Sequence, residues 1–172
     1  IIPYALAETL VNQVCDVIRD AQFTVRPFTP RKVALILTQT ETGKKSLITK
    51  AQKSVAERLA SFASTIDDVA IVDHELDKLS PQITKFAKQG FDPILILGAN
   101  AIADRKDLIP SAIEKAGGEI VRFGMPVDPG NLLLQARIDK TDIIGLPGCA
   151  RSPALNGADF VLEHIFSNTS ID

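Results

Sequence analysis

The sequence predicts an α/β fold: a three-layer α/β/α sandwich built on a mostly parallel sheet, preceded by an N-terminal helical extension. Short β-branched and aliphatic runs recur along the chain, and stretches with helical spacing stand between them. Several runs are apolar throughout rather than alternating, which is how strands covered on both faces read. Right-handed crossovers between such strands would put every strand-to-helix loop along one sheet edge, where ligands of these folds collect.

The elements follow in order. PYALAETLVNQVCDVIRDA (3–21) sets Leu6, Leu10, Val14, Val17 and Ile18 on one helical face, with Pro3 suited to a first turn. FTVRPFTP (23–30) breaks regular structure with two prolines and reads as a short edge strand or a linker. Residues 1–30 are therefore expected to form an extension, and 31–172 the body. KVALILTQ (32–39) is a buried strand, KSLITKAQKSVAERLASFAS (45–64) a helix and DVAIVDHE (68–75) a strand. SPQITKFAKQG (80–90) reads as a helix with Ser80 as cap, Pro81 at its first position and Gly90 as terminator. DPILILGA (92–99) is a third apolar strand. LIPSAIEKAGG (108–118) is a helix closed by two glycines, and EIVRFG (119–124) a strand. LLLQARI (132–138) and DIIGL (142–146) flank a tight connection and form the one antiparallel excursion. The final helix is expected to begin near Pro153.

Composition narrows the function. At 172 residues the chain suits one body with a substantial core. A net charge of −2 and a pI near 5.7 argue against a general nucleic-acid binder, which carries a basic excess. No apolar run approaches the roughly 18 residues that cross a bilayer, so no membrane partner is expected. Two distant cysteines give no disulfide framework and point to a reducing, cytoplasmic setting. The start without Met reads as an excised piece of a longer polypeptide or as processing.

Three loops on the predicted edge carry unusual chemistry. In GANAIADRKD (98–107), Gly98 allows a sharp turn at the strand end, and Asp107 stands where a carboxylate caps the next helix. The loop, with Asn100, Arg105 and Lys106, is longer than capping needs. MPVDPGN (125–131) is stiffened by Pro126 and Pro129 and opened by Gly130. In GLPGCARSP (145–153), Pro147 and Gly148 end a strand, Ser152 is placed to cap the last helix, and Arg151 reads either as a phosphate grip or as a solvated arginine. The free N–H groups of that helix start would favour an anion.

Other motifs fail. Two histidines and two cysteines have no metal-ligand spacing, and Cys149 has no recognisable partner in His74 or His164 for nucleophilic catalysis. TETGKKS (40–46) lacks the first glycine of a phosphate-binding P-loop, so Lys44 and Lys45 read as loop decoration or as a reach toward a ligand's phosphate.

Taken together, Gly98-Ala99, Asp107 with Pro110 three residues on, Pro129-Gly130 and Leu146-Pro147-Gly148 resemble the molybdopterin-binding (MoaB/Mog-type) domain of molybdenum cofactor biosynthesis proteins. The similarity spans about 32–167 and is densest over 93–159. GMPVDPGNLLL and LPGCARSP, with Asn156-Gly157 following, are most similar to a subgroup in which this domain is fused to a nucleotidyltransferase domain. The family's Gly-Gly is Gly98-Ala99 here, its Leu-Pro-Gly-Asn-Pro has become Leu146 to Ala150, and the loop to Asp107 is one residue longer than in stand-alone enzymes.

The resemblance implies a pocket for a pterin phosphate. Its residues would be Gly98, Ala99, Asn100, Asp107, Pro129, Gly130, Pro147, Gly148, Arg151 and Ser152. Asp107 matches the residue associated with adenylylation, with magnesium on it only alongside a phosphate. Self-association and a fused transferase are further implications. Three functions stay open: a molybdopterin- or molybdenum-cofactor-binding module, a nucleotide-dependent molybdopterin adenylyltransferase, and a degenerate structural or oligomerising domain.

Overall fold

The computed structural model describes residues 5–19, 24–41 and 45–169, with the side chain of Lys45 excluded. Among them are five α-helices and one six-stranded sheet in three α/β/α layers. The order is α1 (Glu8–Ile18), β1 (Val33–Gln39), α2 (Lys45–Ala60), β2 (Ile66–Asp73), α3 (Leu76–Lys88) and β3 (Ile94–Leu97). Then come α4 (Leu108–Lys115), β4 (Glu119–Phe123), β5 (Leu134–Ile138), β6 (Thr141–Leu146) and α5 (Gly157–Phe166). Strands lie in the order β2-β1-β3-β6-β5-β4. The first four are mutually parallel, and β5 runs antiparallel to both its neighbours.

Period-two alternation within the apolar runs builds two cores at once. From β1, Val33, Leu35 and Leu37 join Val55, Leu59 and Phe166 on the α2–α5 side. Ala34 and Ile36 face the other way, onto Ile83, Phe86 and Ile113 of α3 and α4. A strand with no polar side can do this only at the centre of a covered sheet.

The helix starts differ from those the sequence suggests. Helix α3 begins at Leu76 with Glu75 as N-cap, so Ser80 does not cap it and Pro81 lies in its second turn. An interior proline costs about 3 kcal/mol through its missing N–H and its ring. Burial of Leu79, Ile83 and Phe86 contributes about 1.5–3 kcal/mol each, which outweighs that cost. Helix α5 begins at Gly157 rather than near Pro153, capped by Asn156 in a capping box with Asp159.

Helix α1 buries none of its residues, leaving Leu10, Val14, Val17 and Ile18 exposed. Pro3 lies outside the described residues, as does Phe23. Residues 24–30 form no strand. They follow α5 instead: the Thr29 amide donates to the Phe166 carbonyl at 2.7 Å, and Phe28 stacks edge-on to Phe62 with centroids 4.9 Å apart.

Candidate functional site

Strands β1, β3 and β6 run in register, with Leu37 beside Leu97 and Leu97 beside Leu146, and β1 continues two residues further to Gln39. Their parallel direction sends Thr38, Gly98 and Pro147 out at the same edge. Hydrogen bonds then tie these exits together. The Ala99 amide donates to Thr38 Oγ1 at 2.7 Å, and that hydroxyl lies 2.7 Å from His74 Nδ1. Arg151 donates through Nη2 to the Gly98 carbonyl. Gly98 itself admits no side chain, since a Cβ would stand 2.7 Å from Ile109 Cδ1 and 2.8 Å from the Asn100 carbonyl oxygen.

Asp107 occupies the N-cap position of α4, yet its carboxylate makes no capping bond to the helix. It turns back into its own loop, where Oδ2 accepts from the amides of Ala103 and Asp104 at 2.6 and 2.9 Å. The extra loop length noted in the sequence is thus folded around Asp107. His74, Asn100, Asp107 and Leu108 line a pocket of about 230 Å³. Burial lowers the His74 imidazole from its ordinary range, and the Asp107 charge partly offsets this. Neutral His74 can accept the Thr38 proton at Nδ1.

A second pocket, of about 320 Å³, is lined by Thr38 itself. Leu47, Ile48 and Ala51 of α2 give it an apolar wall, and Thr38, Gln39, Ala99 and Arg151 supply polar groups at its rim. Arg151 is half-buried, and burial depresses its guanidinium from the usual arginine value. No carboxylate pairs with it among the described residues. A desolvated cation facing a cavity without a counter-ion favours an anionic ligand.

The edge therefore carries two pockets, with Ala99 and Arg151 on one and Asn100 and Asp107 on the other. Pro147 and Gly148 turn the chain into a single 3-10 turn, Gly148–Arg151, that points Arg151 back at Gly98. Pro129 and Gly130 serve α5: the Pro129 carbonyl accepts from the Gly157 amide at 2.9 Å, and a Cβ on Gly130 would lie 2.4 Å from that nitrogen. Ser152 does not cap α5. Its hydroxyl accepts from the Ala154 amide at 3.3 Å, while its carbonyl is held by Arg58 at 2.6 Å. Burial raises the Cys149 thiol above its usual range, which does not favour a thiolate nucleophile. Lys44 and the Lys45 side chain lie outside the described residues.

Thr38, Gln39 and His74 were not recognisable as site residues. Thr38 and Gln39 end an apolar strand, and His74 lies one position beyond β2. Only the β1–β2 and β1–β3 pairing brings them to the loop at Gly98. Their one sequence signal is placement: polar residues at the C-terminal ends of parallel strands.

For magnesium, no group of three or more His, Cys, Asp or Glu side chains is arranged as a cage among the described residues. One oxygen of Asp107 already accepts two amides. This donor set fits only an ion that arrives with a phosphate. No helix among the described residues is long and apolar enough to cross a membrane.

By sequence, the chain matches no protein-family model and no curated protein. By structure it is similar to a molybdopterin biosynthesis MoeA protein from Pyrococcus horikosii, at 19% identity over 69% of this chain with a TM-score of 0.50. It spans only 30% of that protein's length. MogA is matched at 16% identity and a TM-score of 0.50, covering 81% of this chain and all (100%) of MogA. Molybdenum cofactor biosynthesis protein B is matched at 13% identity and a TM-score of 0.54, covering 83% of this chain and 96% of that one. At these identities the likeness is one of architecture: the chain has the three-layer fold that these proteins share.

Proposed function

We propose that the chain is a molybdopterin- or molybdenum-cofactor-binding domain acting in molybdenum cofactor biosynthesis. The carrying observation is Arg151, a half-buried cation with no carboxylate partner among the described residues, at the lip of a pocket with an apolar wall. A flat pterin ring suits the Leu47, Ile48 and Ala51 wall, its amide-like edge suits Thr38 and Gln39, and its phosphate suits Arg151. The structurally similar proteins include a molybdopterin biosynthesis MoeA protein and molybdenum cofactor biosynthesis protein B, which supports this reading.

Gly98, Ala99, Pro147 and Gly148 contribute by backbone shape, letting the strand exits approach one another and the ligand. Asn100 and Asp107 front the neighbouring pocket, where a nucleotide phosphate with its magnesium is the second ligand of an adenylyltransferase reading. Pro129 and Gly130 hold the start of α5 and Ser152 is held by Arg58, so these three fix the loops rather than line either pocket. We further propose a cytoplasmic, self-associating protein that hands its ligand to a nucleotidyltransferase domain. The binding reading is preferred to the enzymatic one because Asp107 is engaged with its own loop.

Calorimetry with molybdopterin tests the reading. The parent should bind, and Arg151→Ala should lose at least tenfold in affinity, from a charge-assisted contact of about 1.5–3 kcal/mol. The circular dichroism melt of the variant should match the parent. Equal affinity of the two proteins would remove Arg151 from the site and with it the carrying observation.

A further inference from the structure

The apolar pocket is not the only cavity that Arg151 lines. Arg151 also lines a cleft of about 240 Å³ bounded by Lys50, Lys53, Ser54, Glu57 and Pro153. Helix α2 lines both cavities with different stripes. Leu47, Ile48 and Ala51 front the first, and Lys50, Lys53, Ser54 and Glu57 front the second.

The cleft collects three cations against one carboxylate. Glu57 lies 3.8 Å from Lys53, and Lys50 has no salt bridge among the described residues. Lysines three residues apart on one helix face repel each other, which an isolated helix does not favour. Ser54 is not available to a ligand, because its hydroxyl donates to the Ala150 carbonyl at 3.0 Å and accepts from Arg58 at 2.7 Å. Anion recognition in the cleft therefore rests on Lys50, Lys53 and Arg151.

Resting on the pocket reading above, we propose that the Lys50–Lys53–Arg151 cleft is a second anion subsite. Its occupant is the distal phosphate of a diphosphate-linked ligand whose proximal phosphate is shared through Arg151. One guanidinium common to two cavities suits a bridging phosphate, since its planar fork presents donors in more than one direction. The diphosphate chemistry is common to a free nucleoside diphosphate and to a pterin that carries a nucleotide.

Calorimetry on the full chain, with inorganic pyrophosphate and orthophosphate as probes, tests this. Pyrophosphate should bind at least tenfold more tightly than orthophosphate, and the Lys50→Ala/Lys53→Ala double variant should lose that preference. Arg151→Ala should weaken both anions. ADP binding more tightly than pyrophosphate would make the ligand a free nucleoside diphosphate, and ADP binding no more tightly would assign the diphosphate to the pterin. Equal affinity for the two inorganic anions, or a preference that survives in the double variant, overturns the subsite. Molybdopterin binding by the parent and the double variant separates the two readings. If it persists in the double variant while the preference is lost, both readings stand. A parent that binds molybdopterin but shows no pyrophosphate preference keeps the pocket and overturns the subsite. A parent that binds pyrophosphate but no molybdopterin overturns the pocket reading.

Discussion

Arg58 Nε donates to Asp159 Oδ1 at 2.8 Å, and the two side chains are 6% and 15% exposed. The same guanidinium holds the carbonyls of Ala150, Ser152 and Ala154 at 3.0, 2.6 and 2.8 Å. The second Asp159 oxygen accepts from the Asn156 amide at 2.8 Å. One arginine on α2 thus fixes the whole path from β6 to α5, and with it the position of Arg151.

Arg58→Ala should destabilise the protein by about 3–5 kcal/mol, the cost of leaving a buried carboxylate unpaired. Asp159→Asn should also destabilise, since its single amide oxygen can accept from Arg58 or from the Asn156 amide but not from both, and the buried guanidinium loses its counter-charge. Urea unfolding of both variants checks this. A loss below about 1 kcal/mol for Arg58→Ala would mean the loop is held by its other contacts.

Gly130→Ala should also destabilise, by about 1–3 kcal/mol, from two independent causes. Its φ of +126° is unfavourable to an L side chain, and its Cβ would press on the backbone nitrogen and Cα of Gly157 at 2.4 and 2.6 Å. Neither neighbour is a flexible side-chain end. A chemical-denaturation midpoint equal to the parent's would show that the loop at 125–131 shifts freely.

For Asp107→Asn, the variant replaces two charge-assisted bonds to the Ala103 and Asp104 amides by neutral ones. That is a loss of about 1–2 kcal/mol in total, or about 2–8 °C in melting temperature for a chain of this size. A simple cap would move far less, and α4 itself should keep its helical signal. An unchanged melt would show that the charge does not hold the loop.

His74 should make stability depend on pH. Burial holds its imidazole below the usual value of 6.5, with Asp107 pulling the other way. On acidification the unfolded chain takes up this proton first. The stabilising contribution of neutral His74 is therefore complete above about pH 6.5 and declines as pH falls toward the folded-state value. The urea midpoint should drop more between pH 7.5 and 5.5 in the parent than in His74→Gln. Parallel profiles would show that His74 titrates as it does in the unfolded chain.

The sequence by itself determined the layers. Apolar runs such as VALILT can be buried only in the middle of a sheet covered on both sides, and the helical stretches between them supply the covers. It also placed Gly98, Asp107 and Arg151 on one edge, because parallel strands must all end there. Local signals misled where long-range contacts were stronger. Ser80-Pro81 reads as a helix start, yet α3 runs through it because burial of Leu79 and Ile83 exceeds the cost of the proline. Ser152-Pro153 reads the same way, but Arg58, about a hundred residues earlier in the chain, takes the Ser152 and Ala154 carbonyls and keeps that segment out of helix α5. The division of the edge into two pockets was likewise decided in three dimensions. It depends on Thr38 bridging Ala99 and His74, three residues that no local spacing relates. Periodicity and turn chemistry are properties of neighbours along the chain, whereas a buried guanidinium or a shared hydroxyl takes whatever partners the packed sheet brings within reach.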